Sequence, residues 1–208
     1  MIQTLKAIEV FNQWAQVGKD KGMEHNHAKS VEDMLNFAVT EKYSIGKDFN
    51  FLDLGCGNGW VVQKIAKEQL CYESIGIDGA DQMIKNAKKK DSINEYILTD
   101  IDSYQPKKKF DLIHSMEVLY YLDNPKKIIK NIFNSWLHIN GRLIAGIDLY
   151  FENQESHAWE DRVGTEMKMF KESEWISFFE SAGFKEIKSW RSNKQRNWAG
   201  TLVITGKK

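Results

Sequence analysis

The chain has 208 residues, in which 29 Lys and Arg balance 29 Asp and Glu. This length suffices for one well-cored domain, and we expect residues 1–208 to form a single domain. A net charge of zero gives no overall basic field, which argues against nucleic acid or an anionic membrane as partner. The chain has only two isolated cysteines and no apolar run near the ~18 residues of a membrane span, so we expect a cytoplasmic protein.

The N-terminal part of the chain predicts two amphipathic helices. Apolar positions recur with helical spacing up to Gly18, and a second pattern of this kind covers about 28–43. A polar connector that contains His25 and His27 lies between them. We expect the whole region 1–45 to form a helical cap or lid.

A short apolar strand then leads into a glycine-rich turn. Residues 51–59 read Phe-Leu-Asp-Leu-Gly-Cys-Gly-Asn-Gly, with glycine at positions 55, 57 and 59. Alternate glycines let a ligand approach the backbone and let the chain turn sharply from strand to helix. The helix that follows directs its free N–H groups at such a ligand. The turn therefore predicts a nucleotide-like cofactor.

Strands and helices alternate through the rest of the chain. The predicted strands cover 50–54, 74–78, 93–98, 110–115, 142–147, 184–190 and 201–205. One helix covers 124–137 before the fifth strand, and another ends at Gly183. This alternation predicts an α/β three-layer sandwich with parallel strands and helices on both faces of the sheet. The last strand is expected to be antiparallel.

Acidic residues follow the first three strands of this pattern. The strands end in Asp53, Asp78 and Asp100. Ligands of open α/β sheets bind beyond the carboxyl ends of the strands, so these side chains are expected to meet. An ionised carboxylate accepts several hydrogen bonds, as a ribose with two hydroxyls requires. Three acids in register favour a ligand site over three separate helix caps.

Two cofactor classes compete for the glycine turn. The dinucleotide fingerprint requires a glycine where Trp60 stands. The string Asp53-x-Gly-x-Gly-x-Gly instead resembles the class I S-adenosylmethionine-dependent methyltransferases, as do Phe110-Asp-Leu-Ile-His-Ser and Asn140-Gly-Arg-Leu. The resemblance covers about 50–149, the expected cofactor-binding core. It implies a Rossmann-like, seven-stranded mixed sheet, S-adenosylmethionine as cofactor, and methyl transfer to a small-molecule acceptor.

The resemblance also implies which residues hold the cofactor. The glycine loop passes under the methionine half, and Asp53 helps to hold its charged amino end. Asp78 accepts from the ribose, and Asp100 and Ile101 lie against the adenine. The implied cofactor-binding residues are Asp53, Gly55, Cys56, Gly57, Gly59, Asp78, Gly79, Met83, Asp100, Ile101, Ser115 and Met116.

The catalytic base is not specified by any motif. The candidates that we favour are His27, Tyr120, Asp148 and Tyr150, from a wider set that includes His25, His114, Glu117, Tyr121 and His157. We expect 150–170 to form a substrate-side insertion, whose Trp159 and tyrosine either surround a cation or ring or cover the core. The pair His25-Asn-His27 has no carboxylate set beside it, so no metal site is predicted.

Two other functions remain open from the sequence. The absence of a recognisable catalytic motif after the fourth strand is compatible with a non-catalytic, S-adenosylmethionine-binding scaffold or regulatory protein. An NAD-dependent oxidoreductase is disfavoured by Trp60. Ser115-Met-Glu-Val also differs from the Asn/Asp-Pro-Pro-Tyr string of nucleic-acid amino methyltransferases. We therefore expect a monomer or homodimer that acts on a small molecule and not on nucleic acid.

Overall fold

The computed structural model describes residues 5–208. Its strands are β1 (Phe49–Leu54), β2 (Cys71–Asp78), β3 (Glu95–Leu98), β4 (Phe110–Met116), β5 (Leu137–Ile147), β6 (Lys185–Ser192) and β7 (Thr201–Lys207). They form one seven-stranded sheet of order β3-β2-β1-β4-β5-β7-β6. Strand β7 is antiparallel to both of its neighbours, and the other pairs are parallel. The predicted mixed sheet with an antiparallel last strand is confirmed.

Helices lie against both faces of this sheet. They are α1 (Ala7–Gln16), α2 (Asp20–Ile45), α3 (Trp60–Ile65), α4 (Asp81–Lys90), α5 (Pro125–Asn131), α6 (Trp159–Val163) and α7 (Glu172–Ala182). A π-helical turn, Ile132–Trp136, continues α5, so the predicted helix at 124–137 is correct in extent but changes its hydrogen-bond pattern partway. No helix within residues 5–208 has the length and apolar character that a bilayer crossing requires.

The central strand shows why the sheet is covered on both sides. All six residues of β1 are buried, as expected of a parallel strand between two helix layers. Leu52 and Leu54 belong to the core that α5 and α7 cover, whereas Phe49 and Phe51 belong to the core under α2 and α3. Burial of each such side chain contributes about 1.5 to 3 kcal/mol. These two cores hold the carboxyl ends of the strands in fixed register.

The N-terminal region differs from its prediction. The connector that contains His25 and His27 is helical, because α2 begins at Asp20 and runs for 26 residues. Its first turns carry polar side chains on the inner face, so no apolar stripe marks them. Beyond these turns, α2 packs against the sheet through Val31 and Met34. Residues 1–4 of the predicted cap lie outside the described part of the chain.

Candidate functional site

A cavity of about 470 Å³ lies at the carboxyl ends of β1, β2 and β4. Its volume falls within the roughly 300 to 1,000 Å³ of small-molecule sites. The strand order reverses between β1 and β4, which is the switch point where open α/β sheets bind ligands. Side chains of α1 and of the first turns of α2 close the opposite wall. This cavity is the candidate site.

Ten of the twelve residues predicted to bind the cofactor line this cavity. The exceptions are Gly59 and Ser115, and each has a structural explanation. A Cβ at Gly59 would lie 2.5 Å from Cε1 of Tyr96, so this glycine is required by packing against the protein. The Ser115 hydroxyl donates to the carbonyl of Leu54 at 3.3 Å. Both residues contact other parts of the protein, and neither lines the cavity.

The three glycines of the turn therefore have different roles. All three have positive φ angles, between 52° and 80°, which disfavour residues with a side chain. A Cβ at Gly55 would overlap the side chain of Val118. Among residues 5–208, a Cβ at Gly57 would meet only the sulfur of Met83, at 3.9 Å, within the cavity. Gly57 is thus the position where the bare backbone is open to a ligand.

Asp78 connects the end of β2 to this loop. One carboxylate oxygen accepts from the amide of Gly57 at 2.9 Å, and the other accepts from the amide of Ala80 at 2.8 Å. Burial raises the pKa of Asp78, and these two amide donors oppose that rise. Each oxygen keeps a second lone pair for a further donor. The carboxylate can therefore hold the loop and accept from a ligand hydroxyl at once.

Asp53 has a partner that the sequence did not reveal. Strands β1 and β4 pair with Asp53 opposite His114, and Oδ1 of the aspartate lies 2.7 Å from Nδ1 of the buried histidine. The other ring nitrogen of His114 has no hydrogen-bond partner among the described residues, although the side chain lines the cavity. His114 was only a candidate base in the sequence, and the structure makes it the residue that orients Asp53.

A second polar cluster surrounds Glu117, which lines the cavity directly after β4. Its backbone has a φ of 60°, an uncommon value for a residue with a side chain. The carboxylate accepts from the hydroxyl of Tyr120 at 2.6 Å and from the amide of Asp148 at 2.5 Å. Nε2 of His27 lies 3.9 Å from Oδ2 of Asp148. Three of the four favoured catalytic candidates thus meet around Glu117.

Within residues 5–208, no Lys or Arg forms an ion pair with the acids of this cluster. Burial raises the pKa of Glu117 well above its usual value, and the nearby Asp148 raises it further. Burial also raises the pKa of Asp148 to about 6. The pKa of His27 is lowered to about 4 by its own burial, so its imidazole is neutral near pH 7. Two adjacent carboxyl groups therefore share a site in which the described part of the chain supplies no positive charge.

The raised pKa of Asp148 predicts a pH-dependent effect of its removal. Its pKa is about 6 in the folded chain and 3.8 when unperturbed, so it stabilises the fold least above pH 6. We expect Asp148→Asn to increase the free energy of unfolding, relative to wild type, by about 2 kcal/mol more at pH 8 than at pH 4. Urea denaturation at both pH values measures this difference. The exposed Asp161 supplies the control variant Asp161→Asn, and equal effects of Asp148→Asn at both pH values would contradict the prediction.

The candidates Tyr150, His25 and His157 lie outside the cavity wall, and Tyr120 and Asp148 contact it through Glu117. The hydroxyl of Tyr150 donates to the carbonyl of Gly200 at 2.8 Å, so the predicted catalytic role of Tyr150 does not fit its position. Trp159 stacks on Trp198 with ring centroids 5.9 Å apart, and it does not line the cavity. The candidates His25 and His157 are exposed, and neither side chain lines the cavity.

Aromatic lining comes instead from Phe11 of α1 and Tyr121, whose rings pack edge to face at 5.1 Å. The N-terminal segment closes the cavity through further contacts that have no local sequence signal. The amide of Leu5 donates to the carbonyl of Gly164 at 3.1 Å, which joins the chain start to the 150–170 segment. These contacts depend on segments that are distant in sequence.

Comparisons with known proteins identify related chains. A family model described as a methyltransferase domain matches residues 23–189. Malonyl-[acyl-carrier protein] O-methyltransferase 2 of Ilyobacter polytropus is 31% identical over 165 residues, which cover 75% of this chain and 60% of the relative. The corresponding enzyme of Bacillus anthracis is 28% identical and covers 57% of this chain and 45% of its own. The chain thus spans between 45% and 60% of the length of these relatives.

Solved structures share the fold over nearly the whole chain. A methyltransferase in complex with the Trm112 activator of Haloferax volcanii has a TM-score of 0.77 at 24% identity and covers 95% of this chain and 96% of its own. The N-methyltransferase NodS of Bradyrhizobium japonicum, solved with S-adenosyl-L-homocysteine, has a TM-score of 0.64 at 22% identity and covers 86% of both chains. At these identities the likeness concerns the fold.

Proposed function

Because this chain belongs to the class I S-adenosylmethionine-dependent methyltransferases, we propose that it transfers a methyl group from S-adenosylmethionine to a small molecule bound in the cavity. One observation carries the proposal. The acids at the ends of β1 and β2, Asp53 and Asp78, and Asp100 after β3, line one cavity together with the open backbone of Gly57. This combination suits a positively charged nucleoside cofactor.

The residues present fit this cofactor. Gly57 leaves room for a ligand at the loop, where a side chain would project into the cavity. Asp78 keeps lone pairs for ribose hydroxyls, and the buried Ile101 offers an apolar surface for a flat base. Asp53, held by His114, supplies a carboxylate for an ammonium group. When bound, S-adenosylmethionine supplies a methyl group activated by a positively charged sulfur.

The chain's own contribution is orientation and the exclusion of water. Holding the acceptor atom in line at ~3 to 3.5 Å from its target can lower a barrier by about 7 to 11 kcal/mol. Residues of α1 and the 164–168 segment, joined through Leu5, cover the cavity from the side opposite the sheet. We infer that the chain forms a single domain and that these segments act as its lid. We also infer that they determine which acceptor binds.

The relatives named as malonyl-[acyl-carrier protein] O-methyltransferases suggest a carboxylate acceptor. Binding of a carboxylate is favoured by Arg or Lys in bidentate or close contact. No arginine lines the cavity within residues 5–208, and one of its two lysines, Lys168, is already paired with Glu166 at 3.0 Å. We therefore do not extend that acceptor to this chain.

Calorimetric titration with S-adenosylhomocysteine tests the proposed function. We expect wild type to bind with micromolar or tighter affinity, and Asp78→Ala to bind at least about tenfold more weakly because the ribose loses its acceptor. Asp81→Ala is the matched control, since Asp81 starts α4 three residues later and pairs only with Lys85 on the surface. Absence of binding at millimolar cofactor, or preferential binding of NAD, would refute the proposal.

A further inference from the structure

Acidic side chains dominate the wall of the cavity. Of the described residues that line it, nine are Asp or Glu and two are Lys. Asp53, Asp78 and Asp100 belong to the proposed cofactor half. The other six acidic residues are Asp20, Glu24, Asp102, Glu117, Asp123 and Glu166. Even when Asp53, Asp78 and Asp100 are set aside, six acidic residues and two lysines line the rest of the wall.

Ion pairs among the described residues neutralise only part of this excess, and one of them joins Nζ of Lys90 to a carboxylate oxygen of Glu24 at 3.8 Å. Lys168 is paired with Glu166, and Lys6 is exposed at the start of α1. Within residues 5–208, no Lys or Arg forms an ion pair with Glu117 or Asp148, and the closest basic group is the neutral imidazole of His27. A cleft of one charge sign with low-dielectric walls attracts ligands of the opposite sign. Anionic acceptors are repelled by the same field.

We propose that the methyl acceptor is a small primary or secondary amine, which enters as an ammonium ion, binds to the carboxylate of Glu117 and transfers one proton to it. This inference rests on the proposed function and names its substrate class. Glu117 is a half-buried acidic residue of the wall, outside the proposed cofactor set, and it is held in place by Tyr120 and by the Asp148 amide. Tyr121 and Phe11 provide aromatic surface beside it, which also favours a cation.

The proton balance requires a base of this kind. An ammonium ion has no free lone pair, so one N–H proton must first pass to a Glu117 oxygen. The nitrogen lone pair then forms the N–CH₃ bond while the S–CH₃ bond breaks and its electron pair stays on sulfur. The products are the methylated ammonium ion and S-adenosylhomocysteine, and the proton on Glu117 returns to solvent. Total charge is the same before and after.

The surroundings of Glu117 suit it to accept this proton. The titratable groups that face it are Tyr120 and Tyr121 from the turn after β4, Asp148 after β5, and His27 of α2. Burial and Asp148 raise the pKa of Glu117, which brings a carboxylate closer to the pH at which a general base is efficient. Tyr120 and Asp148 act on the acceptor only through Glu117 and are positioning residues.

Two measurements on the full chain test the substrate class. In the first, protein saturated with S-adenosylhomocysteine is titrated with benzyltrimethylammonium or with benzoate, a cation and an anion with the same ring. We expect the cation to bind at least about tenfold more tightly. In the second, homocysteine release is screened over primary and secondary amines, phenols and carboxylates of matched size. We expect turnover with amines.

The Glu117→Gln variant tests whether Glu117 is the base that accepts the proton. We expect it to lower kcat on the best amine by about 100-fold, with unchanged affinity for S-adenosylhomocysteine and without the acidic limb of the wild-type pH profile. Glu155→Gln, at an exposed position, is the matched control. Tighter binding of benzoate, binding of neither probe, no turnover with amines, or an unaffected Glu117→Gln variant would overturn the inference. Failure to bind S-adenosylhomocysteine would instead refute the proposed function.

Discussion

Replacing His114 with leucine is expected to lower the free energy of unfolding by about 3 to 5 kcal/mol. The histidine is fully buried, and its Nδ1 lies 2.7 Å from a carboxylate oxygen of Asp53, which is almost as inaccessible to solvent. Leucine fills a similar volume but leaves the buried carboxylate without this partner. Urea denaturation at pH 7 measures the loss, and His138→Leu at an exposed position of β5 is the control.

A double-mutant cycle separates the contribution of the Asp53–His114 contact to stability from the proposed role of Asp53 in cofactor binding. Replacing both partners by leucine removes the unpaired carboxylate, so Asp53→Leu/His114→Leu is expected to recover most of the stability lost in His114→Leu. The double variant should still fail to bind S-adenosylhomocysteine, because Asp53 is proposed to hold its amino end. A His114→Leu variant within 1 kcal/mol of wild type would show that the contact contributes little to folding.

The second large effect is a loss of stability that we expect on substitution in the glycine turn. Gly59→Ala is expected to destabilise the fold by about 3 kcal/mol or more, because it combines a left-handed backbone with overlap against Tyr96 and Ala87. Gly18 has a similar φ, 76°, but no atom of the described residues lies within 4 Å of its Cβ position. Gly18→Ala should therefore cost only the backbone term, about 1 to 2 kcal/mol.

Gly57→Ala distinguishes folding from binding at the same turn. Its Cβ would enter the cavity and meet only Met83, so its stability should match that of Gly18→Ala. Affinity for S-adenosylhomocysteine should fall by at least about tenfold, since the methyl group occupies the space beside the bare backbone. Thermal denaturation and calorimetric titration of the three variants measure both effects. Retained affinity in Gly57→Ala would show that the cofactor does not approach the loop here.

The strand and helix pattern was predictable because it depends on the local spacing of apolar residues. Apolar runs identified all seven strands, and Gly183, with a φ of 105°, ends α7 as predicted. The start of α2 was missed because its first turns bury polar groups such as Asp20, whose carboxylate accepts from the Asn58 side chain at 3.0 Å. That partner lies 38 residues away, so no local pattern marks it.

The sequence alone determined the sheet, the glycine turn and the acids at the strand ends, because each depends on residues that are neighbours along the chain. The tertiary structure decided which of these residues pack against other protein groups and which face the cavity. Strand register places His114 against Asp53, and the fold brings α2 and the ends of β4 and β5 together around Glu117. The net charge of the whole chain is zero, yet the cavity is acidic. Composition averages over all charges, whereas a ligand responds to those that folding places within its reach.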